Sequence, residues 1–313
     1  MMPLRQILFA LFLVAQVHGI AAATPPVNPE ATPEAVQLLD YLYGIRGTGT
    51  LAGQHNKPFA GSDWLDAARH VTRKYPALFG QDFGFSPSHT EDGINYRQQT
   101  VKQVIKRHGQ GYIVTLTWHA VRPTDDEPVG FTSSVQGKLT DEQWQELMTP
   151  GTPLRLRWEA QVDVIAAYLK QLQDAGIPIL WRPYHEMNAN WFWWGKRAGD
   201  NGFKHLWRML YERLVTYHKL NNLIWVYSCN ELMSGVDPFD DYFPGTDVVD
   251  VLAVDVYNTG FSPEQYQEIS RLAAGKPIAL GEVGAAPSVE ILNSQPNWAW
   301  FMLWDDQIGR AHV

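Results

Sequence analysis

A single cysteine, Cys229, stands in the 313-residue sequence, which excludes an intramolecular disulfide and any thiolate metal cluster. Positive charge is short too: 25 Lys and Arg face 33 Asp and Glu, a net charge of −8. Neutralising a run of phosphates needs a basic face, so nucleic acid is a poor partner for this chain. No stretch approaches the roughly 18 consecutive apolar residues of a membrane span. The sequence has no Asn-x-Ser/Thr acceptor for N-glycosylation and no Gly-x-Ser-x-Gly elbow of the esterase type. Gly47-Thr-Gly-Thr-Leu-Ala-Gly53 has the wrong glycine spacing for a phosphate loop, so cofactor chemistry finds no foothold. His55, His119 and His185 invite a metal, but His185-Glu186-Met187-Asn188-Ala189 lacks the second histidine of the zinc-peptidase helix; no metal site is expected.

What is abundant is tryptophan, 13 residues, as many as Phe or Tyr, and flat aromatic surface suits sugar rings. At the N-terminus, Arg5, the apolar run Ile7–Val17 and Ala21-Ala22-Ala23 have the layout of an export signal over residues 1–23. The expectation is a secreted, monomeric protein whose residues 24–313 form one catalytic domain. Residues 24–33 are a proline-rich lead-in, and no linker or repeat follows.

Short apolar runs then alternate with amphipathic stretches, the pattern of parallel β/α units. Eight runs can be counted, beginning near Thr50, Ala77, Tyr112, Ile177, Leu223, Val249, Pro277 and Trp298. Helical periodicity lies between them over 64–75, 97–108, 154–175, 203–220 and 263–274, with short or missing helices after the fifth and seventh runs. Eight such units in about 290 residues predict an α/β fold of the (β/α)8 TIM-barrel type; an open doubly wound sheet is the alternative. Asp305–Val313 is too short for a full eighth helix, so an incomplete barrel wall, with reduced stability, is also expected.

In such a barrel the chemistry gathers at the C-terminal strand ends. There lie Gln81-Asp82, Trp118-His119, the block Arg182–Asn188, Asp255-Val256-Tyr257-Asn258, Gly281-Glu282 and Trp304-Asp305. Glu186 and Glu282 each close an apolar strand where a structural residue would be Val or Leu. Two carboxyl groups across one cleft are what glycoside cleavage needs, one as acid and one as nucleophile or base. The plainer alternative is that each pairs with an arginine such as Arg182. Asp82, Asp255 and Glu231 are rival carboxylates; Glu231, after Cys229-Asn230, reads as a loop residue. Trp191-Phe192-Trp193-Trp194 cannot all be core, because successive side chains diverge.

Trp181-Arg-Pro-Tyr-His-Glu-Met-Asn188 running into Asn190-Trp-Phe-Trp-Trp-Gly195 resembles glycoside hydrolase family 26, above all its β-mannanases. Leu51-Ala-Gly-Gln-His55, Trp118-His119 and Leu280-Gly-Glu-Val-Gly284 add to the resemblance. It implies Glu186 as acid/base and Glu282 as nucleophile, without a cofactor. It further implies that His185 assists beside the acid/base and that His119 lines the subsite of the sugar being cleaved. Trp191 would be an aromatic wall there, Tyr257 a hydrogen-bond partner of the nucleophile, and Trp304 the platform closing the cleft. The implied activity is retaining, endo-acting cleavage of β-1,4 bonds in plant mannan, glucomannan or galactomannan. Mixed-linkage β-glucan, β-1,3-xylan or release of mannobiose from chain ends are alternatives, as is a carbohydrate-binding protein without chemistry.

Overall fold

The computed structural model describes residues 23–58, 63–84 and 92–304. Eight parallel strands close into a barrel in sequence order: β1 Leu51–His55, β2 Leu78–Asp82, β3 Ile113–Trp118, β4 Ile179–Pro183, β5 Leu223–Asn230, β6 Val251–Val256, β7 Ile278–Val283 and β8 Trp298–Leu303. β8 pairs with β1, Gly53 opposite Met302, which completes the ring and excludes the open doubly wound sheet. Buried on both faces, parallel strands need side chains that tolerate no water, hence the unbroken apolar runs. β2, β4, β5, β6 and β7 are buried along their full length.

The helices are α1 Pro33–Ile45, α2 Asp63–Thr72, α3 Arg97–His108, α4 Phe131–Ser134, α5 Asp141–Met148, α6 Pro153–Asp174, α7 Phe203–Tyr211, α8 Pro263–Ala273 and α9 Val289–Ser294. α6 shows how local chemistry sets their ends. The Thr152 side chain accepts from the Arg155 N–H, Pro153 presets the first turn, and Gly176 takes the left-handed φ of 70° that ends it. Its stripe Trp158, Val162, Ile165, Leu169 and Leu172 is buried in the layer between barrel and helices. α7 runs on into a π-helical turn, Glu212–Tyr217. β5 is followed by only a four-residue 3₁₀ turn, Phe239–Tyr242, and β7 by the six-residue α9, matching the weak periodicity there.

α1 was not foreseen, although Thr32-Pro33 is a cap and first-turn signal and Leu38, Leu39, Leu42 and Tyr43 share a helical face. It packs against β5 and β8, which are separated around the ring by β6 and β7. A helix touching both must lie across the barrel's end. Its Ala35, Leu39 and Leu42 join Leu180, Ile224, Ala253, Ala279 and Met302 in one buried cluster, a floor under the barrel. The expected export segment 1–23 lies outside the described residues except for Ala23, as does Asp305–Val313 with its expected incomplete helix.

Candidate active site

All the foreseen site residues come to one end of the barrel. His119, His185, Glu186, Trp191, Tyr257, Glu282 and Trp304 line a single open cleft of about 470 Å³, joined by Phe131, Gln136, Phe192, Asn230 and Asn258.

Glu186 follows β4 on a tight turn. Tyr184 and Glu186 both take left-handed backbone, φ 47° and 56°, which for residues bearing a Cβ costs roughly 1 kcal/mol or more each. The surroundings enforce it. The Glu186 N–H donates to the Ser228 carbonyl at 2.8 Å. The Tyr184 ring is buried, its hydroxyl accepting from Trp158 Nε1 at 2.9 Å. Strain of this kind persists only where packing over-determines it, and here it points the Glu186 carboxyl into the cleft.

The aromatic run divides as diverging side chains must. Trp193 and Trp194 are core, their indole N–H groups donating to the carbonyls of Ala120 and His185 at 2.9 and 2.8 Å. Trp191 and Phe192 face the cleft, and Trp191 Nε1 donates to the Glu186 carboxyl at 2.5 Å. Lys138 donates to the carbonyls of Asn190 and Phe192 at 2.7 and 2.8 Å. That clamp fixes the aromatic loop to the segment carrying Phe131 and Gln136, which form one lip of the cleft.

Glu282, at the end of β7, sits in a different environment. One of its oxygens accepts from the Arg182 guanidinium, the other from the Tyr257 hydroxyl at 2.7 Å. Arg182 also donates to Asp255 at 2.9 Å and to Thr117 at 3.2 Å, and Asp255 accepts from the Ser228 hydroxyl at 2.8 Å. The arginine pairing weighed from sequence for both glutamates thus holds for Glu282, and Arg182 pairs with Asp255 as well. Glu186 has no such ion pair among the described contacts; its carboxyl is bonded by Trp191.

This asymmetry separates the two glutamates electrostatically. Burial, together with the charges of Asp255 and Glu282, holds the Glu186 carboxyl well above the usual carboxylate range. Burial also pushes Asp255 up, to about 7, with Glu282 adding to the rise and Arg182 opposing it. His185 is neutral: burial and the nearby Arg182 charge hold its imidazole well below its ordinary value. Its Nε2 stands 3.7 Å from Glu282, and its ring meets His119 edge-on at 4.3 Å.

Two supports were not legible in the sequence as such. Asp82 accepts from the backbone N–H of Gly84 and His119 and meets His119 Nδ1 at 2.5 Å, so this rival carboxylate orients an imidazole. His55 lies flat against Trp304, ring centres 3.9 Å apart, backing the expected platform. The side chains of His185, Asp255 and Glu282 converge closely enough to hold a cation. Arg182 already bonds to both carboxylates with fixed positive charge, so the cluster is satisfied without a metal.

A closed (β/α)8 barrel with two unlike carboxyl groups at the ends of β4 and β7, walled by indoles, defines a class, the barrel-type glycoside hydrolases. Comparison with known proteins is specific. The chain belongs to glycosyl hydrolase family 26, whose sequence profile matches residues 27–312. It is 38% identical over 291 residues to a mannan endo-1,4-beta-mannosidase of Thermothelomyces thermophilus, covering 89% of this chain and 56% of that protein. A mannan endo-1,4-beta-mannosidase of Bacillus subtilis is 27% identical, with 96% of this chain and 88% of that one covered. The structure of GH26A from Muricauda sp. MAR_2010_75 superposes with a TM-score of 0.86 at 44% identity, over 91% of this chain and 93% of that chain. The chain spans 45 to 61% of the length of several of its curated relatives.

Proposed function

We propose that this chain is a secreted, monomeric, retaining endo-β-1,4-mannanase acting on plant mannan, glucomannan or galactomannan. One observation carries the reading: in a single cleft, Glu186 is desolvated and favours its protonated form, while both oxygens of Glu282 accept hydrogen bonds. The printed names of the relatives, mannan endo-1,4-beta-mannosidases, supply the substrate. The layout of residues 1–23 supports export.

The chemistry follows from those environments. A carboxylate oxygen of Glu282 attacks the anomeric carbon as the glycosidic C–O bond breaks, and Glu186 gives its proton to the departing oxygen. Water then attacks the same carbon, Glu186 takes the proton back, and the bond to Glu282 is released, so configuration is retained. Arg182 and Tyr257 hold the Glu282 carboxyl by hydrogen bonds as it attacks in the first step and as it leaves in the second. Neutral His185 and Asp82-oriented His119 line the sugar's polar edge. Trp191 and Trp304 offer faces for the pyranose ring.

Sizing the products from mannan, mixed-linkage glucan and β-1,3-xylan tests the specificity. Internal cleavage of mannan is expected. Release of mannobiose alone, or preference for another polymer, would select one of the alternatives, and binding without cleavage would make this a carbohydrate-binding protein. Glu186→Ala is expected to abolish mannan hydrolysis while sparing glycosylation by substrates whose leaving group needs no proton. Equal loss of that step on both would remove Glu186 from the acid role.

A further inference from the structure

Glu231 reads from the sequence as an ordinary loop residue, but the structure surrounds its carboxylate with donors. It follows β5 directly, is fully buried, and its backbone N–H donates to the Asp255 carbonyl at 2.9 Å. Its carboxylate accepts five hydrogen bonds from three consecutive residues of the loop after β6. The backbone N–H groups of Tyr257, Asn258 and Thr259 donate at 3.0, 2.6 and 2.7 Å. The Asn258 side-chain amide donates at 2.9 Å, and the Thr259 hydroxyl completes the set. Although burial pushes this carboxyl up, the donors from Thr259, Tyr257 and Asn258 outweigh it and hold the group below the usual range.

Those three residues begin with the one whose hydroxyl reaches Glu282. Tyr257 stands on the cleft wall, 39% exposed. Contact on one flank comes from Gly284, where a Cβ would lie 2.9 Å from the tyrosine ring. A half-exposed ring that must deliver a hydroxyl to within 2.7 Å of a carboxylate depends on where its backbone is held. Loop amides left to water would let that backbone drift, and misplacement by about 1 Å is costly at a reacting group.

We infer that Glu231 is a positioning residue for the reaction: by binding three successive backbone amides it sets Tyr257, and through Tyr257 the orientation of Glu282. This rests on the proposed role of Glu282 as nucleophile.

The test is a double-mutant cycle between Glu231→Gln and Tyr257→Phe in the full chain, read as kcat, KM and melting temperature. Glu231→Gln keeps the shape but turns a donor towards donors. It is expected to lower kcat by about 10-fold with KM within about twofold. In the Tyr257→Phe background, where no hydroxyl is left to position, the same change is expected to cost less than about twofold in kcat while the melting temperature still falls. A loss that multiplies fully in the double variant, or one carried by KM alone, overturns the inference. Should Glu231→Gln fail to fold, Thr259→Val removes one peripheral donor and is expected to show a smaller kcat loss that vanishes with Tyr257→Phe. Persistence of that loss, or no loss at all, overturns the inference equally. Labelling of the wild-type protein by a fluorinated mannosyl fluoride keeps the two ideas apart. No label on Glu282 sinks the nucleophile reading; a label together with independent, multiplying losses sinks only the role of Glu231.

Discussion

Replacing Arg182 with methionine separates the electrostatic account of the cleft from one in which Arg182 is mere filling. Arg182 is 2% exposed and bridges Asp255, Glu282 and Thr117. Methionine keeps much of its length and removes the charge. Asp255 then retains only the Ser228 hydroxyl, and Glu282 only the Tyr257 hydroxyl, with the His185 ring 3.7 Å away. Breaking a buried ion pair from one side costs about 3–5 kcal/mol, because the partner charges stay behind unpaired. At roughly 2–4 °C per kcal/mol for a large domain, the melting temperature should fall by about 6–20 °C near pH 8.

The loss should depend on pH, and its sign can be worked out. Burial already raises the Asp255 carboxyl to about 7 with the guanidinium in place, and Arg182 is the charge that pulls it down. Without Arg182 the folded-state value moves higher still, further above the unfolded one. A carboxyl with a raised folded value contributes stability that is full below its unfolded pKa and is lost as pH rises through the folded one. Near pH 5, Asp255 is mostly protonated in both proteins, so its part of the deficit disappears; it grows as pH passes 7. Differential scanning fluorimetry of both proteins at the two pH values measures this directly. An equal loss at both would reduce Arg182 to a packing role, and no loss at either would refute the buried network.

Two further outcomes follow from the same geometry. The raised Glu186 carboxyl should set the alkaline limb of kcat/KM on mannan, with activity falling as pH rises and that proton is lost; the limb should be missing when an aryl glycoside with a good leaving group is the substrate, and its survival there would assign it to another residue. Leu39→Ala, in the floor helix at 1% exposure, should cost about 2–5 kcal/mol and leave KM unchanged, as measured by urea unfolding and steady-state kinetics; altered KM would mean that the floor communicates with the cleft.

The barrel was readable because a parallel strand buried on both faces must be apolar throughout, and the amphipathic stretches between the runs supply the crossovers. The structure puts Glu282 inside β7 and Glu186 on the turn just after β4; the positions of both at the cleft were readable because each carboxylate follows an apolar run. The network joining them was not. Arg182 meets Asp255 and Glu282 across 73 and 100 positions of sequence, and only closure of the ring brings them together. Composition could not divide Trp191 and Phe192 from Trp193 and Trp194, since which of them reach the cleft depends on which way the loop turns after the left-handed residues Tyr184 and Glu186. Glu231 looked ordinary because its donors are backbone amides, which every residue has and no motif records. α1 was less legible because the prolines before it mark breaks in regular structure, even though Thr32-Pro33 also opens a helix.

The central claim is double displacement through Glu282, and a covalent trap addresses it most directly. The protein is incubated with a 2-fluoro-mannobiosyl fluoride, digested with pepsin, and its peptides sequenced by mass spectrometry. One fluoro-mannobiosyl unit per chain on the peptide containing Glu282 is the predicted result, because the fluorine slows release of a true glycosyl intermediate. An adduct on Glu186 or Asp255 instead, or no adduct from a protein that releases product of inverted configuration, would contradict it.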